Sequence, residues 1–199
     1  MRRWMNDRVW LLLPLATLLL SPTAGMAGAE AAQPKDLRLS AVSMNLSGIG
    51  RARTEQLQIV IDRWSTDKEH DKLLDLLREK GSDKLLDALQ AMKPRAGFIR
   101  TTTSLGWDIQ YAREQPLPGG GRSIVFATDR PMSFYERANQ TRSSEYEFMW
   151  CEIRLGKDGI GEGKLSTLAK ISYDREKNQL EIENYGIEPV RLTQVKVEK

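Results

Sequence analysis

Five residues in the middle of the chain have types and spacing that could do chemistry: Trp107, Tyr111, Arg113, Asp129 and Arg130. At a period of two, Trp107, Ile109 and Tyr111 share one face of a strand, and Arg113 continues it. Aromatic rings offer apolar area at small entropic cost, while a guanidinium orients a carboxylate through paired hydrogen bonds. The Asp129-Arg130-Pro131 corner adds a second cation. Pro131 keeps Arg130 out of the helical region, and Asp129 is suited to accept backbone N–H groups in an Asx turn. Its first reading is a rigid corner. Its second is an Arg130 presented to an anion, with Arg113 or Arg142 nearby. The chemistry is that of a small-ligand site, with no catalytic residue assigned.

Other chemistries lack their residues. The sequence has one cysteine, Cys151, and one histidine, His70, so an internal disulfide is excluded and a His-rich or Cys-rich zinc site is hard to build. Cys151 lies in Met149-Trp150-Cys151-Glu152-Ile153, among apolar neighbours, and reads as a core thiol. His70, beside Glu69 and Asp71, reads as part of a solvated helix face. The run from Gly156 to Gly163 has too few acidic ligands for a calcium loop, and Lys157 sits within it. It reads as a glycine-rich hairpin. Pro118-Gly119-Gly120-Gly121-Arg122 lacks the Lys-Ser/Thr ending and the following helix of a phosphate cradle. Acidic residues abound, but no pair has a spacing that singles it out for carboxylate catalysis. Neither a metal nor a cofactor is called for.

The N-terminus points to export. Arg2, Arg3 and Arg8 precede an apolar run from Val9 to Leu20, and small residues end in Ala27-Gly28-Ala29. These are the three regions of a cleavable signal peptide, and the run is short of the ~20 residues a membrane helix needs. The expected mature protein therefore begins near Glu30, in the periplasm or outside the cell. Losing residues 1–29 removes three of the 30 basic and one of the 27 acidic residues, leaving a net charge of +1. That balance gives no footprint for nucleic acid, and no later apolar run approaches spanning length.

These side chains must be positioned by strands. Residues 30–36 read as a mobile leader, and 37–199 as a single domain. Leu37, Leu39 and Ala41 alternate, then Val42, Met44 and Leu46 take up the opposite parity, as a bulge in the first strand would produce. Leu57, Ile59 and Ile61 mark a second strand. The period then changes between 66 and 93. Thr66-Asp67-Lys68-Glu69 is a capping box, Leu73, Leu74, Leu76 and Leu77 have helical spacing, and Gly81 stops the helix. Ser82 is positioned to cap a second helix carrying Leu85, Leu86, Leu89 and Met92, ended by Pro94. Period two returns at Gly97–Thr103, Trp107–Glu114, Gly121–Thr128, Tyr146–Leu155, Lys164–Tyr173, Gln179–Glu183 and Val190–Val197. The segment from Tyr146 to Ile153 is apolar on both faces, which suits a strand covered on both sides. The pattern predicts a mainly β protein: an antiparallel sandwich or barrel of about 8–9 strands with a two-helix hairpin.

Several stretches carry a family likeness. They include Ile61-Asp62-Arg63-Trp64-Ser65-Thr66, Gly106-Trp107-Asp108-Ile109-Gln110-Tyr111-Ala112-Arg113, Thr128-Asp129-Arg130-Pro131 and Gly159-Ile160-Gly161-Glu162-Gly163-Lys164-Leu165. With Glu183-Asn184-Tyr185-Gly186 and Pro189-Val190-Arg191-Leu192, the chain resembles a family of bacterial exported proteins of unknown function. The resemblance implies a bacterial source and a single-domain build, and carries no activity. The expected function is a non-enzymatic envelope module that binds a small molecule or a protein partner. The alternatives are a hydrolase using acidic residues and a structural part of an envelope assembly.

Overall fold

The computed structural model describes residues 36–45, 53–130, 147–184 and 188–198. Two strands, β1 (Leu37–Asn45) and β2 (Arg53–Ile61), lead into helices α1 (Asp67–Lys80) and α2 (Ser82–Ala91). Seven strands follow: β3 (Gly97–Thr101), β4 (Trp107–Pro116), β5 (Arg122–Thr128), β6 (Phe148–Leu155), β7 (Ile160–Asp174), β8 (Gln179–Asn184) and β9 (Val190–Val197). Every strand from β1 to β7 pairs antiparallel with the next, and β9 then joins β7 to β1. Eight strands thus close a barrel, with β8 as the extra one. The long β7 makes this possible: Ile160–Leu165 pairs with β9, and Ala169–Asp174 leaves the ring to pair with β8.

Inward-facing apolar residues fill the barrel. Leu39, Ile59, Ile99, Phe126, Cys151 and Leu192 are all fully buried there. An eight-strand barrel encloses a space that side chains just fill, and branched residues at alternate positions do so here. A second apolar layer lies outside the wall, where Leu73, Leu77, Leu85 and Leu89 pack over Tyr111 and Phe148. The β6 strand serves both layers. Met149, Cys151 and Ile153 point inward, while Phe148 and Trp150 face the helices, as the doubly apolar sequence requires.

The capping box forms as its residues dictate. Thr66 Oγ1 accepts from the Glu69 N–H at 3.2 Å, and Glu69 Oε2 accepts from the Thr66 N–H at 2.8 Å. Arg63 Nη1 donates to the same carboxylate oxygen at 3.0 Å, bracing the β2-to-α1 corner. Gly81 takes a φ of +81° between the helices, a value that costs glycine little. Ser82, expected to cap α2, is instead its first residue, and no side chain caps that helix. With a single residue between the helices, Gly81 already occupies the capping position.

Two local expectations are overturned by register. No bulge interrupts β1, which pairs residue for residue with β2 from Leu37 to Asn45. The extra residue lies in β9, opposite Ala41, where Gln194 has a φ of +52°. Val42 and Met44 are simply the half-exposed outward residues of a regular strand, and Leu46 lies outside the described residues. The glycine-rich hairpin forms, but β7 starts at Ile160 instead of the expected Lys164, so Gly161 and Gly163 belong to the strand. A Cβ at Gly161 would stand 1.9 Å from the Arg154 carbonyl oxygen, so glycine here serves the close approach of β6 and β7.

Candidate functional site

The five sequence-predicted residues do not form one site. Between Ile109↔Thr128 and Tyr111↔Ala127 the β4–β5 register shifts, because β4 carries one extra residue, Gln110. That bulge reverses side-chain parity. Trp107 therefore points into the barrel, 6% exposed, whereas Tyr111 points outward beneath the helices. Their expected common face does not exist. Arg113 faces outward but is engaged, Nη2 donating to Asp67 Oδ1 at 2.9 Å and tying β4 to the start of α1. Arg130 Nη2 donates to the Gly106 carbonyl at 3.3 Å, and the Arg130 carbonyl accepts from Thr128 Oγ1 at 2.5 Å. Gly106 and Arg113 stand roughly 20 Å apart along β4 at the usual strand rise, so the two arginines do not converge. Asp129 is half-buried beside Arg130. Pro131 and Arg142 lie outside the described residues.

His70 departs from its solvated-face reading. It is half-buried, its Nδ1 lies 2.8 Å from Tyr111 Oη, and the two rings stack with centroids 6.1 Å apart. Burial lowers its pKa, and the Arg113 guanidinium adds to the effect. Desolvation likewise holds the Tyr111 hydroxyl protonated, well above the ordinary phenol range. Tyr111 can therefore donate to a neutral imidazole, a seam bond between α1 and β4. His70 and Tyr111 also line a small apolar cleft of about 50 Å³, with Leu77, Leu89, Ala127 and Trp150 among others, the space of a water molecule or two.

Cys151 sits inside the barrel, completely buried, as its apolar neighbours predict. Burial pushes its thiol pKa up, and Glu152 pushes the same way. A dyad with His70 has no geometry, because the barrel wall separates Cys151 from the helix layer. Among the described residues two carboxyls have displaced acidity, and both are stabilised in ionised form. Burial alone would raise Glu69, but hydrogen bonds from Arg63 and Thr66 bring it below the usual range. Asp174 is lowered chiefly by the Lys177 ammonium, then by the backbone N–H groups of its turn. Among the described residues no group of three His, Cys, Asp or Glu side chains is placed to hold a metal ion.

The wall opposite the helices carries a concavity of about 560 Å³ over β9, β1, β2 and β3. Its centre is one cross-strand row, since Arg100 pairs with Gln58, Gln58 with Ser40, and Ser40 with Lys196. The short Ser40 side chain between longer neighbours makes the floor. Arg100 is oriented before any ligand arrives: its Nε donates to Gln58 Oε1 at 2.8 Å, and its guanidinium lies 5.4 Å from the Phe98 ring centroid. Gln56 and Gln194 extend the floor, and Glu198 shares the Lys196 end. Arg63, Arg95, Arg113, Arg122 and Arg154 each hold a carboxylate, but Arg100 and Lys196 have no such partner among the described residues. The site is thus polar, concave and equipped with two uncommitted cations. Sequence reasoning missed it because its four central residues come from strands as far apart as Ser40 and Lys196. Only the alternation that points them outward was visible.

No protein-family model, curated protein or solved structure matches this chain.

Proposed function

We propose that this chain is an exported envelope protein that acts by binding, and that the groove over β9–β1–β2–β3 holds a small polar ligand with an anionic group. The observation that carries this reading is the Arg100–Gln58–Ser40–Lys196 row, in which a pre-oriented guanidinium and an ammonium lack carboxylate partners among the described residues. A volume of 560 Å³ falls in the range of small-molecule sites. The packed barrel leaves its interior to side chains, so a ligand has room only on the outer wall. A hydrolase would need cooperating carboxylates, and among the described residues Glu198 is the single acidic side chain lining the groove. The basic, apolar and small-residue order of residues 1–29 supports export, as does the resemblance to exported bacterial proteins.

Two measurements test the reading. Intact mass of the exported form should place its N-terminus within a few residues of Glu30; a mass that retains Met1 ends the export reading. A thermal-shift screen of small anions should find a stabiliser. At 100 times Kd such a ligand adds about 2.7 kcal/mol, and Arg100→Gln should abolish the shift. A contact with another envelope protein is the second reading. It is favoured by β8, which pairs only with β7 among the described residues, and by the fully exposed Leu105 on the β3–β4 turn.

A further inference from the structure

Resting on that groove as the binding site, we infer that its ligand is a short extended peptide, three or four residues long, with both ends free. Three features of the groove define this class. The first is length. From β3 to β9 there are three inter-strand steps, each about 4.8 Å, so Arg100 and Lys196 stand roughly 14 Å apart at their Cα atoms. An extended peptide advances about 3.3 Å per residue, so four residues cover about 13 Å, and three suffice because the Arg100 side chain leans over Gln58 into the row.

The second feature is charge asymmetry. At the β3 end Arg100 presents its guanidinium with only Nε committed, a fork suited to a terminal carboxylate. At the β9 end Glu198 stands two residues from Lys196 on the same side of the strand, and both line the groove. Glu198 supplies an acceptor for a terminal ammonium, and its charge offsets that of Lys196. A zwitterion therefore has one favoured direction, carboxylate at Arg100 and ammonium at Glu198. A simple dianion would meet Glu198 at one end.

The third feature is the floor between these ends. Gln56, Gln58 and Gln194 offer side-chain amides, and Ser40 offers a hydroxyl. A primary amide carries donor and acceptor together and so matches a peptide unit, which does the same. Among the described residues no aromatic ring, the usual platform for the apolar face of a sugar, lines the groove. It also has no deep apolar pocket, so small or polar side chains fit best. Nothing covalent is required; the step is association alone.

The test is a titration of the isotope-labelled protein with trialanine, followed by amide NMR. Trialanine should move the resonances of Ser40, Gln58, Arg100 and Lys196 and leave those of the helix-covered wall in place. Amidating its C-terminus or acetylating its N-terminus should each weaken binding at least tenfold. Arg100→Gln should erase the effect of amidation and Glu198→Gln that of acetylation, with unchanged melting temperatures showing that both variants fold. Equal binding of free and blocked peptides would overturn the inference. If trialanine has no effect while citrate moves the same four resonances, the peptide class is wrong and the anion groove stands. Silence from trialanine, citrate and a broad anion panel would bring down the groove reading itself.

Discussion

One barrel has two unlike outer walls. Over β4 to β8 the wall carries an outward apolar patch, Tyr111, Val125, Ala127, Phe148, Trp150 and Ile171 among its residues, and the helical hairpin covers it. Over β9, β1, β2 and β3 the outward row is Arg100, Gln58, Ser40 and Lys196, which no described helix covers. The interior is equally apolar behind both walls, so the difference comes from the outward positions alone. Apolar area removed from water by the hairpin contributes roughly 25 cal/mol per Å². The open wall gains nothing from a cover and remains available for recognition. Stability should thus concentrate on the covered side, and binding on the other.

The sharpest break in that contrast is a cavity under the hairpin. Leu89, 2% exposed, is the deepest of the helix leucines, and Leu89→Ala should cost ~2–5 kcal/mol in urea melts. Leu86→Ala, at a partly buried neighbour, should cost clearly less. Equal, small losses would mean that the hairpin is not docked. Next comes the cap. Thr66→Ala removes the acceptor of the Glu69 N–H and should cost about 1 kcal/mol, with Thr66→Ser retaining most of the stability.

The seam between the layers should respond to pH. In the folded protein the pKa of His70 is depressed below its unfolded value of about 6.5, so the unfolded chain takes up the proton more readily. Stability from this group is whole above that value and is lost as pH falls from there through the folded-state pKa. The groups facing His70 are Tyr111 and Arg113 of β4 and Asp67, Asp71 and Arg78 of α1. A thermal melt at pH 5.5 should fall below one at pH 7.5 by more in the native protein than in His70→Gln. A parallel pH response in both would remove His70 from the account. The smallest stability effect belongs to the open wall, where Arg100→Gln should stay within about 0.5 kcal/mol of the native protein while abolishing ligand shifts. A large loss of stability there would turn the groove row into a structural one.

Local signals were legible wherever neighbours in sequence are neighbours in space. The Thr66–Glu69 box, the leucines at helical spacing and the turn residues around Gly119 and Asp158 need only the adjacent chain to act. The inward set Leu57, Ile59 and Ile61 and the buried Cys151 follow from alternation. The common face of Trp107, Tyr111 and Arg113 was not legible, because one inserted residue, Gln110, reverses parity and shows only against the partner strand β5. His70 was misplaced for a related reason: its neighbours Glu69 and Asp71 are polar, but the ring stacks on Tyr111, 41 positions away.

By itself the sequence determined the periods, the Thr66–Glu69 cap and the two-sided apolar character of β6, since each is a property of spacing along one segment. Tertiary structure alone decided that the sheet closes, because β9 must return to β1 across the whole domain. It alone decided that Arg100, Gln58, Ser40 and Lys196 lie in one row. Cross-strand neighbours are set by register, and register is a property of pairs of segments.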